Sequence, residues 1–75
     1  MQVLKVHVKL NPGRNKFGKG WFSAIVFSRD GKIVLTSPAA KHWLGQDVGD
    51  FMHEFQCLGA SVNSKFVEKD IDASP

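Results

Sequence analysis

The sequence has no tyrosine, one cysteine and three prolines in 75 residues, and no apolar run of membrane-spanning length. Each shortage excludes something. Cys57 has no second cysteine to pair with, so this small core has no internal disulfide, and a homodimer is one expected source of stability. A transmembrane helix needs about 20 consecutive apolar residues, and none is expected here. The opening MQVLKVHVKL alternates instead of placing a charged end before an apolar block, which argues against a secretory signal. The expectation is a soluble, cytoplasmic protein without a membrane partner.

Acid is scarce in the first part of the chain. Residues 1–41 carry Lys5, Lys9, Arg14, Lys16, Lys19, Arg29, Lys32 and Lys41 against Asp30 alone. Residues 42–75 reverse the balance, with Lys65 and Lys69 against Asp47, Asp50, Glu54, Glu68, Asp70 and Asp72. This segregation points to a polyanionic partner for the first half. Motifs for catalysis are missing too. His53 and Cys57 stand four apart on a predicted helix, but a structural zinc needs four ligands and a catalytic one three, and His7 and His42 have no matching spacing. A nucleophilic Cys57 needs a base held by a third group, and none is evident. The chain reads as non-enzymatic, with no metal and no cofactor.

What is present is a clear pattern. Leu4, Val6, Val8 and Leu10 alternate with Lys5, His7 and Lys9, the period of a strand with one buried face. The runs WFSAIVF and KIVLT flank Asp30-Gly31, a strong signal for a two-residue type I′ hairpin. That turn sets Arg29 opposite Lys32, Ser28 opposite Ile33, Phe27 opposite Val34 and Val26 opposite Leu35. One face then collects Phe22, Ala24, Val26, Ile33 and Leu35 with Leu4, Val6, Val8 and Leu10 as the core. The other collects Trp21, Ile25, Phe27, Arg29, Lys32, Val34 and Thr36 beside Lys5, His7 and Lys9. Like charges at Arg29 and Lys32 are unfavourable side by side, and an anion between them would relieve the pair.

At TSPAAKHW the period changes to that of a helix, with Ser37 as N-cap, Pro38 at the first position and an apolar stripe of Leu44, Val48, Phe51, Phe55 and Leu58. Gly45 and Gly49 predict either a break near Gly45 or the close approach of another backbone. Gly59 is the expected C-cap. SVNSKFVE, residues 61–68, predicts a fourth strand with Val62 and Phe66 on one face. The fold class is therefore α+β: an antiparallel three- to four-stranded sheet with one helix packed on one face, in the order β-β-β-α-β. Residues 1–68 form a single small domain and 69–75 a flexible C-terminal tail.

The loop NPGRNKFGKG joins two strands and so matches neither phosphate-cradling glycine fingerprint. Arg14, Lys16 and Lys19 would act there as charges on a flexible arm, with Phe17 as an added aromatic. Proteins that hold single strands combine a basic surface with aromatic rings on which bases stack, each stack contributing about 1 to 3 kcal/mol. Trp21 and Phe27, ringed by Lys5, Lys9, Arg29 and Lys32, have that composition. The same residues also suit a protein interface.

The segments KIVLTSPAAKHW and GDFMHEFQCLG resemble the last strand and helix of a repeat in the Pur-alpha family. Ala39 and Ala40, Asp50 and Phe51, and Leu58 and Gly59 are the matching positions. The Ser37-Pro38 start is similar to positive cofactor four, and both families are similar to the whirly proteins. The resemblance covers the middle and C-terminal half of the chain. It implies binding of single-stranded DNA or RNA on the sheet, usually as a dimer. The sequence thus carries two functional expectations. The first is a small nucleic-acid-binding protein favouring single strands, through Lys5, Lys9, Arg14, Lys16, Phe17, Lys19, Trp21, Phe27, Arg29 and Lys32. The second is a protein-binding regulator, such as a phage- or plasmid-type modulator of a host enzyme, docking the same face on an acidic protein surface.

Overall fold

The computed structural model describes residues 2–10 and 22–69. They build one antiparallel sheet of four strands, β1 (Gln2–Leu10), β2 (Phe22–Arg29), β3 (Lys32–Thr36) and β4 (Ser61–Glu68), in the spatial order β3-β2-β1-β4. One helix, α1 (Val48–Cys57), packs across one face. Three hairpin-ordered strands and a fourth that returns beside the first make a Greek-key order, with the return carried over the helix.

The β2–β3 turn has φ of 54° at Asp30 and 84° at Gly31, the two positive values a type I′ turn requires. Arg29 pairs with Lys32 and Ser28 with Ile33 as expected. Beyond them the register shifts between Phe27 and Ser28, so that Leu35 stands opposite Phe27 and Thr36 opposite Val26. This corrects the sequence-based sorting: Leu35 belongs to the Phe27 face and Thr36 to the core side. One extra residue in β3 is the cause, since a bulge exchanges the faces of everything past it. Ser37 then pins the shifted register. Its N–H donates to the Ile25 carbonyl at 2.8 Å, and its hydroxyl accepts from the Ile25 N–H at 3.1 Å. The hydroxyl expected to cap a helix is instead an extension of the sheet.

The expected long helix is two pieces. A 3-10 helix spans Pro38–Trp43, and the helical path ends at Gly45, whose φ of 86° an L side chain rarely adopts. The break is used: the Gly45 N–H donates to the Ile33 carbonyl at 2.8 Å, the Ile33 N–H to the Gln46 carbonyl at 2.9 Å, and the Val48 N–H to the Gly31 carbonyl at 2.9 Å. Residues 45–48 therefore cover the outer edge of β3 at its start, along residues 31–33. Leu44, placed in the buried stripe by sequence periodicity, is 55 % exposed because the helical phase ends there.

Asp47 is the true N-cap of α1, its carboxylate accepting from the Asp50 N–H at 3.2 Å. Gly49 leaves room for it, since a Cβ at that position would stand 2.9 Å from Asp47 Oδ2. Gly59, with φ of 85°, follows the C-cap Leu58 as predicted.

The core lies between sheet and helix and gathers Val6, Val8, Ala24, Val26, Ile33, Ala40, Val48, Phe51 and Phe55. Aromatic contacts organise it. Phe51 meets the edge of Trp43 at 5.2 Å and Phe55 at 4.9 Å, and Phe55 stacks on Phe22 at 5.6 Å with the rings 8° from parallel. β4 adds Val62 to this side, but Phe66, on the same face of the strand, is 66 % exposed. It stands at a corner beyond the helix, beside Leu4 and Val48.

Candidate functional site

The side of the sheet away from the helix follows from strand parity. In β1 it takes Val3, Lys5, His7 and Lys9; in β2, Ser23, Ile25, Phe27 and Arg29; in β4, Ser61, Asn63, Lys65 and Val67. In β3, Lys32 and Leu35 face Arg29 and Phe27. Paired residues define rows across the strands. One row reads Leu35, Phe27, Lys5, Lys65; the next reads Ile25, His7, Asn63; a third reads Ser23, Lys9, Ser61. Five cations stand in these strand positions, Lys5, Lys9, Arg29, Lys32 and Lys65, and no acidic residue does. The helix side carries the acids, Asp47, Asp50 and Glu54 on and before α1 and Glu68 on β4, with Lys41 of the 3-10 helix as a cation among them. The sequence already separates most of these charges by half; folding sorts them further by face, bringing Lys65 from the acidic half to the cationic side.

Phe27 is the one aromatic residue on this face among the described residues, and it is half-buried. Lys69 places its Nζ 4.9 Å from the Phe27 ring centroid, a cation–π contact that shows the ring presenting its face outward. The sequence places Lys69 at the start of the expected tail; the remaining tail residues, 70–75, lie outside the described residues. Around Phe27 the face has an apolar strip: Ile25, Leu35 and Val67 are half-buried and Val3 is 1 % exposed. His7 Nε2 shares a hydrogen bond of 2.9 Å with Ser23 Oγ, which fixes the ring between Lys5 and Lys9.

Of the residues singled out from sequence, Lys5, Lys9, Phe27, Arg29 and Lys32 come together on this face. Arg14, Lys16, Phe17, Lys19 and Trp21 lie outside the described residues. Lys65 was missed. It stands directly opposite Lys5 in the β1–β4 pairing, and the two line a shallow hollow of about 370 Å³ with His7, Asn63 and Ser64. The alternation of SVNSKFVE held the signal, but only the pairing partner of β4 turns it into a position.

The other chemical groupings are small. Cys57 is exposed, and its Sγ lies 3.5 Å from His53 Nε2, a contact within one helix turn. Among the described residues no group of three or more His, Cys, Asp or Glu is placed to hold a metal ion, and no helix is long and apolar enough to cross a membrane. In comparisons with known proteins, the chain matches no family, no curated protein and no solved structure.

Proposed function

We propose that this chain is a small, non-enzymatic nucleic-acid-binding protein that takes a single strand of DNA or RNA along the open face of its sheet. One observation carries the reading: the strand rows of that face hold five cations and no acid, with Phe27 set among them. Phosphates supply the affinity by displacing counterions, and the ring supplies a surface on which a base stacks without sequence preference. A base on Phe27 displaces Lys69. An exposed cation–π contact is worth about 0.5 to 1 kcal/mol and a base stack about 1 to 3, so the exchange favours the base. The freed Lys69 ammonium then faces the same backbone.

Anisotropy titration of labelled single- and double-stranded oligonucleotides tests the proposal. Five phosphate contacts on a single strand predict roughly a hundredfold loss of affinity between about 50 and 200 mM salt. Absence of binding to any strand at the lower salt overturns it.

The apolar strip of Ile25, Leu35 and Val67 favours a second reading, in which the face docks on an acidic protein surface with the strip at its centre. Capture of one protein partner that survives nuclease treatment, with no oligonucleotide binding, selects that reading.

A further inference from the structure

We propose that Lys5 and Lys65 form a phosphate seat at the β1–β4 border of the open face. The inference rests on the reading of that face as a nucleic-acid surface only for the source of the phosphate. The seat itself rests on the pairing.

Two lysines directly opposite each other on neighbouring antiparallel strands repel, because their Cβ atoms are only about 5 Å apart. Sheets ordinarily place an acid or a neutral residue there. Here neither lysine has a carboxylate partner among the described residues, and their face offers none in any strand row. The Arg29–Lys32 pair differs, because it flanks the turn and Asp30 sits next to Arg29 in the chain. The Lys5–Lys65 pair stands in the interior of its ladder.

The surroundings suit an oxyanion. The lysines border a hollow of about 370 Å³, large enough for a phosphate group with its water. Asn63 adds an amide from the next row, opposite His7, whose ring is held by Ser23. Phe27 is the neighbour of Lys5 in the same row, and Lys69 brings a further ammonium over that ring. A nucleotide unit fits this order, with its base on Phe27 and its phosphate between Lys5 and Lys65. Free phosphate offers the same chemistry without the base.

Two measurements separate those sources. The first is an NMR titration of the full chain with inorganic phosphate, following the amides of Lys5, Asn63 and Lys65. The second is oligonucleotide anisotropy. Lys65→Gln is compared with Lys9→Gln and Lys32→Gln, each of which removes one charge from the same face. The seat predicts saturable shifts centred on those amides that Lys65→Gln abolishes, and a loss of strand affinity of about tenfold, the order of one charge-assisted contact. Lys9→Gln and Lys32→Gln lose about threefold or less. Equal losses in all three variants, with phosphate shifts spread over the face, overturn the seat while leaving strand binding intact. Localised phosphate shifts abolished by Lys65→Gln, with no strand binding, keep the seat as a free-phosphate site and overturn the nucleic-acid reading instead. Lys5→Gln supplies an independent copy of the test, because it removes the opposite member of the pair.

Discussion

On the helix side of the sheet Val6, Val8, Val26 and Phe51 are fully excluded from water; on the open side only Val3 is buried among the described residues, and Lys5, Lys9, Arg29, Lys32 and Lys65 stand on it. The two faces share the same strands, so one pleated backbone serves both by alternation. The comparison teaches where each kind of change will register. Substitutions facing α1 alter the folding equilibrium, and substitutions facing away alter what the sheet attracts.

The sharpest break of that comparison is Phe51→Ala. It removes a ring that Trp43 and Phe55 both contact, and should cost about 3 to 5 kcal/mol, a large part of the stability of a small domain. Urea denaturation measures it directly. Gly45→Ala comes next, because a side chain at φ of 86° costs about 1 to 2 kcal/mol and the residue anchors the strap beside β3. Asp47→Ala should cost about 1 kcal/mol through loss of the α1 cap, seen as a lower urea midpoint with an unchanged slope.

Lys65→Glu separates the faces by sign. It replaces a repelling pair with an attracting one and should raise stability by up to about 0.5 kcal/mol, while it weakens strand binding and flattens its salt dependence. Phe66→Ser should change stability least, by under about 0.5 kcal/mol, because the ring is already in water; a larger effect in the melting curve would mean that a partner covers it.

How much of this was legible in the sequence depends on the range of the interaction involved. The alternation of β1, the Asp30-Gly31 turn and the cap at Gly59 are local, and all three appear as read. The β-β-β-α-β order and the helix on one face followed from them. The bulge in β3 was not legible, because it is set by Ser37 bonding across to Ile25, twelve residues away. Leu44 fits a helical period perfectly well; what removes it from the core is the pairing of residues 45–48 with β3. The candidate site divides the same way. Lys5, Lys9, Phe27, Arg29 and Lys32 share a face by parity and turn geometry alone. Lys65 joins them through the long return to β1, and no local pattern names its neighbour.

The strap at residues 45–48 has a consequence for how copies of this sheet could add to one another. A sheet extends by recruiting backbone at an unpaired margin. At one margin the strap has taken that place along residues 31–33, with Lys32 bridged to Asp47; at the other, β4 pairs only with β1 among the described residues. In the vocabulary of polymer chemistry, the described residues make the strap a partial stopper at one end and leave β4 as the more reactive end. Addition through β4 alone would join two copies and stop there.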